Sequence, residues 1–272
     1  SSATPSASEP GARGRRQAAM PQERHGWRLE RRSGLARQLH RWAELPCSGR
    51  LVRCCQVLDS AVVLGSTQSA SDFDEERARA SGLALVRRRS GGGAVLVAPG
   101  AQLWVDFFIP SADPLFEIDV ARSFRWVGEA WAGALRASLP GATIEVVDTA
   151  SARRPKLAAS LCFAGRIPGE VTLGGRKAVG CSQRRTRDGA WIHTVVMLES
   201  DGGLLASALG CPEPLREEAA RMLDASSAVL GEGLPGGARG GRERTETLLA
   251  ALLACLPPLV PPGHRLMGGA MQ

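Results

Sequence analysis

The chain has 272 residues, of which 44% are hydrophobic and 22% are charged. That length fits one large domain or two small ones, and the apolar fraction suffices for a buried core. Apolar runs fall short of the roughly 18 residues of a transmembrane helix. The first residues lack a hydrophobic segment followed by a cleavage site, so neither a membrane span nor a secretory signal is expected.

The formal net charge of +7 is concentrated at the N-terminus. Residues 1–50 contain ten arginines against four glutamates, whereas the remainder is close to neutral. The basic character therefore belongs mainly to an N-terminal extension. It gives little reason to expect nucleic-acid binding by the folded body.

The seven cysteines are an odd number and show no CxxC spacing. This pattern argues against a complete disulfide framework and against a four-cysteine zinc site. We expect free thiols in a reducing cytoplasm and no metal site. The cysteines are Cys47, Cys54, Cys55, Cys162, Cys181, Cys211 and Cys255.

Composition divides the chain into three parts. Residues 1–44 are predicted to form a disordered or weakly helical basic extension, in which Trp27–Trp42 is the candidate helix. Residues 45–200 carry most of the β patterns and form the predicted main domain. Residues 201–272 are predicted to be a helical segment packed on that domain.

Short β patterns alternate with helical ones along the main domain. The first strands are predicted at Val52–Leu58, Ala61–Leu64, Leu83–Val86, Ala94–Val97 and Gln102–Ile109. Later strands are predicted at Ala142–Val147, Leu161–Phe163, Gly169–Leu173, Lys177–Gln183 and Trp191–Leu198. Helices are predicted at Phe73–Ala80, with Asp72 as N-cap, and at Glu117–Leu139, Pro214–Leu230 and Glu243–Leu256. Strand and helix patterns are therefore both present in the chain.

Three consecutive glycines follow an arginine-rich strand end in Arg87–Gly93, RRRSGGG. Glycine is costly in chain entropy, so such a run needs a reason. One reason is a tight turn; the other is close approach of the backbone to a ligand, with N–H groups facing an anion. The segment is neither a Walker loop nor a Rossmann fingerprint.

Lys177 is unusual because only Lys156 and Lys177 among the 34 basic residues are lysines. An ammonium is a compact charge that fits beside a carbonyl or phosphate oxygen where a planar guanidinium does not. The alternative is an ordinary hairpin lysine after Gly174-Gly175.

RRRSGGGAV (Arg87–Val95) followed by GGRKAVGCSQRR (Gly174–Arg185), with a GSTQ loop upstream (Gly65–Gln68), resembles the biotin/lipoate protein ligase superfamily. The resemblance is to its lipoate-protein ligase A and cysteine-type octanoyltransferase branch, and it covers about residues 52–198. It implies the mixed α/β (α+β) catalytic-domain fold of that superfamily, with a curved mixed sheet flanked by helices that holds an acyl chain in a tunnel. Residues 45–200 would then be an acyl-transfer catalytic domain.

The resemblance also implies roles for individual residues. Lys177 corresponds to the family lysine that contacts the acyl carbonyl oxygen, where a fixed cation stabilises developing charge. Substrate-binding positions are implied for Arg88, Arg89, Ser90, Gly91, Gly92, Gly93, Gly180, Gln183 and His193. The His-Asp dipeptide that usually follows the glycine loop is replaced by Val97-Ala98.

Two activation routes remain open at this stage. The leading one is a lipoate-protein ligase that forms an acyl-adenylate from lipoate or octanoate with ATP and Mg²⁺. In the alternative, which needs no cofactor, Cys162 accepts an octanoyl group from acyl carrier protein. Cys162-Phe163 lies fifteen residues before Lys177, as in the cysteine octanoyltransferases, and a neighbouring ammonium favours the thiolate that attacks.

Either route implies transfer to a lysine of a lipoyl carrier domain, such as the glycine cleavage H protein or a dehydrogenase E2 subunit. Because such domains are typically acidic, Arg184, Arg185 and Arg187 are candidate contacts. Two further classes compete: a binding module that kept the acyl pocket without turnover, and a nucleic-acid-binding protein. Residues 1–50 are too short for a helix-turn-helix, so we expect neither nucleic acid nor a membrane as partner.

Overall fold

The computed structural model describes residues 22–42, 47–152, 160–231, 234 and 241–259. Its strands are β1 Gln22–Arg24, β2 Trp27–Gly34, β3 Arg50–Val57, β4 Ala61–Leu64, β5 Ala84–Arg87, β6 Val95–Val97, β7 Gln102–Pro110, β8 Ile144–Val146, β9 Val171–Leu173, β10 Arg176–Arg185 and β11 Gly189–Met197. Its α-helices are α1 Ala36–Trp42, α2 Glu75–Ala80, α3 Arg125–Ser138, α4 Gly202–Ser207, α5 Glu213–Ser226 and α6 Gly241–Ala254.

Eight strands form the main sheet, in the order β1-β2-β3-β7-β11-β10-β9-β8. The β2–β3 pair is parallel and its other pairs are antiparallel. A second sheet has the order β5-β4-β6, with β4 parallel to β5. The predicted mixed α/β architecture is therefore confirmed.

Strand β7 shows why both faces of the main sheet are covered. Leu103, Val105 and Phe107 belong to a core that includes residues of α3 and α6. Trp104, on the opposite face, packs with residues of α1 and of the second sheet. Because side chains alternate along a strand, one nearly continuous apolar strand fills two cores.

The predicted helix over Trp27–Trp42 is wrong in its first half. Residues 27–34 form β2, which pairs in parallel with β3, and only α1 is helical. Trp27 is buried in the main core. Pairing and burial outweigh the local helical periodicity, which is a weak constraint by comparison. Strands β1 and β2 of the N-terminal extension thus belong to the main sheet.

Smaller differences have local causes. Asp74, not Asp72, caps α2 by accepting from Arg77 N, and α3 begins at Arg125 after a 3-10 turn rather than at Glu117. Residues 162–164 form a 3-10 turn where a strand was predicted, and α4 was not predicted. The division at residues 44 and 200 stays a prediction. No helix in the described part of the chain is long and apolar enough to cross a membrane.

Candidate active site

A two-residue turn fixes the position of Lys177. Gly174 and Gly175 both have positive φ, 55° and 75°, which is the conformation that a type I′ hairpin needs and that glycine adopts readily. Leu173 pairs with Arg176 across this turn, and Lys177 pairs with Thr172. Lys177 is therefore a hairpin lysine, and the residue is nevertheless buried, with 2% exposure.

The Lys177 ammonium contacts four acceptor atoms at this point. Nζ lies 2.6 Å from Glu170 Oε1, 2.6 Å from the Cys162 carbonyl oxygen, 3.2 Å from the Gly165 carbonyl oxygen and 3.7 Å from Cys162 Sγ. Glu170 is held in turn by the backbone N–H groups of Ile167 and Cys181. Burial alone would lower the pKa of Lys177, but Cys162 and Glu170 offset that effect and the pKa is raised, so the ammonium stays charged.

The glycine loop docks directly on the segment that carries Cys162. Ala94 N donates to Ser160 O, and Cys162 N donates to Ala94 O, both at 2.8 Å. A Cβ atom on Gly93 would lie 2.7 Å from Cys162 N, closer than real contacts allow. The glycine is required here by close approach of two backbones.

Arg88 shapes this loop from within. It is buried, and its guanidinium donates to the carbonyl oxygens of Val63, Gly91 and Gly93. Ser90 is also buried, and its hydroxyl lies 3.0 Å from that of Ser182 on β10. Both side chains hold the loop in place against the two sheets.

Two cavities meet at Cys162. A polar cavity of about 360 Å³ is lined by Gly92, Gly93, Glu170 and Lys177, among others. A second, apolar cavity of only about 30 Å³, called the slot below, is lined by Val95, Val97, Trp104, Phe163, Val195 and Gly180, together with Arg88, Ser182, His40 and His193. The glycine loop and Lys177 thus share one cavity, as predicted, and Cys162 lines both cavities.

Cys181 also lines both cavities but is chemically different. It is buried, whereas Cys162 is partly exposed. Burial, together with the charge of Glu170, raises the pKa of the Cys181 thiol well above its ordinary value. Cys181 therefore stays protonated, and a thiol is a poor nucleophile.

Some predicted site residues lie elsewhere. Gln183 lines neither cavity; its Oε1 accepts from Ser123 Oγ at the start of α3. Arg89 is exposed, and neither Arg89 nor Gly91 lines these cavities. Arg185, a candidate carrier contact, donates to the carbonyl oxygens of Glu117 and Ile118.

The structure adds residues that the sequence analysis missed. Asp106 is fully buried, and its Oδ1 accepts from Trp104 Nε1 at 2.6 Å and lies 2.8 Å from His193 Nδ1. His40 stacks on Trp104 with ring centroids 4.6 Å apart. The sequence did contain a signal for Asp106, because it is the one charged residue in the otherwise apolar strand Leu103–Ile109. Within the described ranges, no group of three or more His, Cys, Asp or Glu side chains is arranged to hold a metal ion.

Comparison with solved structures establishes the fold. The chain is similar to a bi-partite lipoate protein ligase from Thermoplasma acidophilum, with a TM-score of 0.59 and 20% identity over 83% of this chain and 84% of the other. It is also similar to a lipoate-protein ligase A bound with ATP, with a TM-score of 0.56 and 19% identity over 83% and 85% of the two chains.

Sequence comparison identifies curated relatives and a family. The octanoyltransferase LipM of Exiguobacterium sp. is 26% identical over 64% of this chain and 63% of its own length. That of Moorella thermoacetica is 30% identical over 53% and 52%. This chain thus matches about half to two thirds of the length of these relatives. The model of the lipoyl protein ligase A/B catalytic domain matches residues 34–229, so the chain belongs to the lipoyl protein ligase A/B catalytic-domain family.

Proposed function

We propose that this protein is an octanoyltransferase that uses Cys162 as a thioester nucleophile and acylates a lysine of a lipoyl carrier domain. The observation that carries the proposal is the position of Cys162. Its sulfur lies 3.7 Å from the Lys177 ammonium, where the apolar slot meets the polar cavity. An acyl carbonyl group bound where the two cavities meet would lie beside both the sulfur and the ammonium.

In the first half-reaction the Cys162 thiolate attacks the carbonyl carbon of an octanoyl thioester on acyl carrier protein. A new carbon–sulfur bond forms, the bond to the carrier thiol breaks, and the departing thiolate takes up a proton. The Lys177 ammonium lies 3.7 Å from the sulfur, and it stabilises negative charge on the attacking sulfur and on the tetrahedral oxygen.

In the second half-reaction the uncharged amine of the carrier lysine attacks the acyl-Cys162 thioester. The amide bond forms, the thiolate of Cys162 leaves, and the proton lost by the amine passes to solvent or to the thiolate. The first half-reaction exchanges one thioester for another, and the second releases the free energy of the thioester when the amide forms, so the cycle needs no nucleotide. A glycine cleavage H protein or a dehydrogenase E2 domain is the proposed acceptor.

The curated relatives support this route over the ligase, which the sequence alone placed slightly ahead. Both are octanoyltransferases. The commitment of Arg88 to three backbone carbonyls also supports it, because that guanidinium is then not available to a nucleotide phosphate. The site contains what thioester exchange requires.

The second candidate is the ATP-dependent lipoate-protein ligase. Support comes from the SGGGA form of the loop and from the fold similarity to a ligase bound with ATP. A Mg²⁺ ion would neutralise nucleotide phosphates. Asp72 and Glu170 are the described carboxylates that line the polar cavity, and Glu170 is already paired with Lys177, so the described residues offer a poor metal site.

Mass spectrometry of the intact protein after mixing with octanoyl acyl carrier protein tests the proposal. We expect one octanoyl adduct that hydroxylamine removes and that peptide mapping places on Cys162. Cys162→Ser should abolish the removable adduct, whereas Cys211→Ser, at a partly exposed cysteine outside both cavities, should retain it.

The ligase route is tested in parallel with lipoate or octanoate, ATP and Mg²⁺. Pyrophosphate release and carrier acylation that persist in Cys162→Ser would reject the transferase in favour of the ligase. Acyl binding without transfer under either condition would instead indicate a binding module.

A further inference from the structure

The thiol of Cys162 must lose its proton before the sulfur attacks, and the ion pair beside it is a poor acceptor. Cys162 and Glu170 raise the pKa of Lys177 despite its burial, so the ammonium has no electron pair to offer. Glu170 contacts that ammonium and also accepts from the N–H groups of Ile167 and Cys181. A base on the other side of the sulfur, in the slot, is better placed.

The slot brings His193 close to Cys162. A Cβ atom on Gly180 would lie 3.3 Å from Cys162 Sγ, which places the sulfur over that residue of β10. Ser182, two residues further along β10, pairs with His193. Gly180 and His193 are therefore diagonal neighbours on one face of the sheet, and such neighbours lie roughly 7–8 Å apart. Both Cys162 and His193 line the slot.

Asp106 sets the tautomer of His193. Burial would raise the pKa of Asp106, but His193 and Trp104 outweigh that effect and the pKa is lowered, so the carboxylate stays charged. A carboxylate only accepts hydrogen bonds, and Asp106 Oδ1 lies 2.8 Å from His193 Nδ1. The neutral imidazole therefore carries its proton on Nδ1 and has an electron pair on Nε2. The same carboxylate stabilises the imidazolium that forms when Nε2 takes up a proton.

The second histidine of the slot, His40, is a much weaker base. Its ring stacks on Trp104 and lies 5.9 Å from the ring of His193. Burial lowers the pKa of His40 to about 3, with a further contribution from His193, so it stays neutral near pH 7. Of the two histidines, His193 is therefore the one that can accept a proton.

The size and lining of the slot suit water. A volume of about 30 Å³ accommodates about one or two water molecules, each of which needs several polar partners. Arg88 lines the slot, and its buried Nε has no hydrogen-bond partner among the described residues. A water molecule there would have this donor, the electron pair of His193 Nε2 and the Cys162 thiol as partners.

We propose that His193 is the proton acceptor of Cys162, acting through water in the slot, and that Asp106 positions His193. This proton relay rests on the proposed acyl transfer. The S–H bond of Cys162 breaks, its proton passes to the water, and the water gives a proton to Nε2. The departing carrier thiolate takes its proton from solvent. When the carrier amine displaces Cys162, the amine proton goes to solvent and the imidazolium returns its proton to the sulfur.

The rate of single-turnover acylation by octanoyl acyl carrier protein tests the relay. His193→Gln keeps a donor for Asp106 but removes the base. At pH 7 this variant should acylate Cys162 at least about thirtyfold more slowly, as expected when a general base is lost. At pH 9.5 hydroxide removes the thiol proton, and the rates should agree within about threefold. His40→Phe, which keeps a ring against Trp104, is the control and should retain the rate at pH 7.

A purely structural role of His193 would slow acylation equally at every pH. That result, or equal rates at pH 7, would overturn the relay. Asp106→Asn is a second variant that keeps the base without its charged partner, and it should slow acylation at least about tenfold at pH 7. An unchanged rate in Asp106→Asn would likewise contradict the positioning role.

Alkylation of Cys162 by iodoacetamide, read by mass spectrometry, reports the thiolate without any acyl transfer. His193→Gln should slow this alkylation severalfold at pH 7 and should restore it at pH 9.5. This alkylation pattern without an octanoyl adduct on the unaltered protein would reject only the proposed function. An octanoyl adduct that forms equally fast in His193→Gln would reject only the relay.

Discussion

Glu170 forms a buried ion pair with Lys177. Removal of one partner of such a pair is strongly destabilising, because the other charge stays buried without a counter-charge. We expect Glu170→Gln to lower the free energy of unfolding by about 3–5 kcal/mol, because the ammonium would stay buried without its counter-charge. Urea denaturation measures the loss. Glu75→Gln, which breaks an exposed pair with Arg79, is the matched control and should leave stability unchanged. Equal stability of the two variants would contradict the buried-pair interpretation.

His40 makes stability depend on pH. Its pKa is about 3 in the folded protein against 6.5 for an ordinary histidine. Above pH 6.5 both states are neutral and the group contributes nothing. Below pH 6.5 the His40 imidazole is protonated in the unfolded chain but stays neutral in the folded protein. The free energy of unfolding therefore falls by up to about 1.4 kcal/mol per pH unit, down to pH 3.

Unfolding free energies at pH 7.5 and 5.5 measure this effect. His40→Phe keeps the packing on Trp104 and should lose less stability on acidification than the unaltered protein. Parallel losses in the two proteins would show that His40 is accessible to protons in the folded state.

At the scale of elements, the contact between the glycine loop and residues 161–162 makes a sharp prediction. Gly93→Ala places a methyl group within 2.7 Å of Leu161 and Cys162 backbone atoms, so the two segments must separate. We expect a loss of about 1–3 kcal/mol in stability and at least tenfold slower acylation of Cys162. Gly91→Ala is the control, because a Cβ there meets nothing within 4 Å. Similar rates for both variants would contradict this docking.

The position of Gln183 on β10 could not be predicted from the sequence. Gly180, Cys181 and Ser182 all line the slot, so strand alternation does not separate the slot residues from their neighbours here. Gln183 instead accepts from Ser123, in the 3-10 turn before α3. The family motif groups Gln183 with Gly180, and only the contact with a residue distant in the chain shows that the Gln183 side chain lies elsewhere.

Other features depended on pairing between distant segments. The Asp106–His193 contact requires β7 to lie beside β11, an order that local patterns do not contain. Lys177 and the glycine loop were placed together through the family resemblance, and their shared cavity confirms that placement. Strand β2 was missed because its parallel partner β3 lies beyond α1 in the chain.

In the whole molecule, the two ends of the described chain are tied together through Trp27. Its Nε1 donates to Pro257 O at 2.8 Å, and Leu259 N donates to His25 O. Trp27→Ala should cost about 3–5 kcal/mol by leaving a large cavity. Trp27→Phe keeps much of the packing and should cost less. Thermal and urea unfolding compare the variants, and an equal, small effect of both would place Trp27 outside the main core.

The Gly174-Gly175 turn has a consequence for how this protein can vary. Surface hairpins usually tolerate a change in length at the tip. Here one inserted residue would shift the pairing register of β10 by one residue. The side chain of Lys177 would then lie on the opposite face of the sheet. The backbone hydrogen bonds between the strands would form again, but the Lys177 ammonium would no longer lie beside the Cys162 sulfur. Under the proposed mechanism, such an insertion would give a well-folded protein that does not transfer the acyl group, so the length of the tip would be strictly constrained despite its distance from the sulfur along the chain.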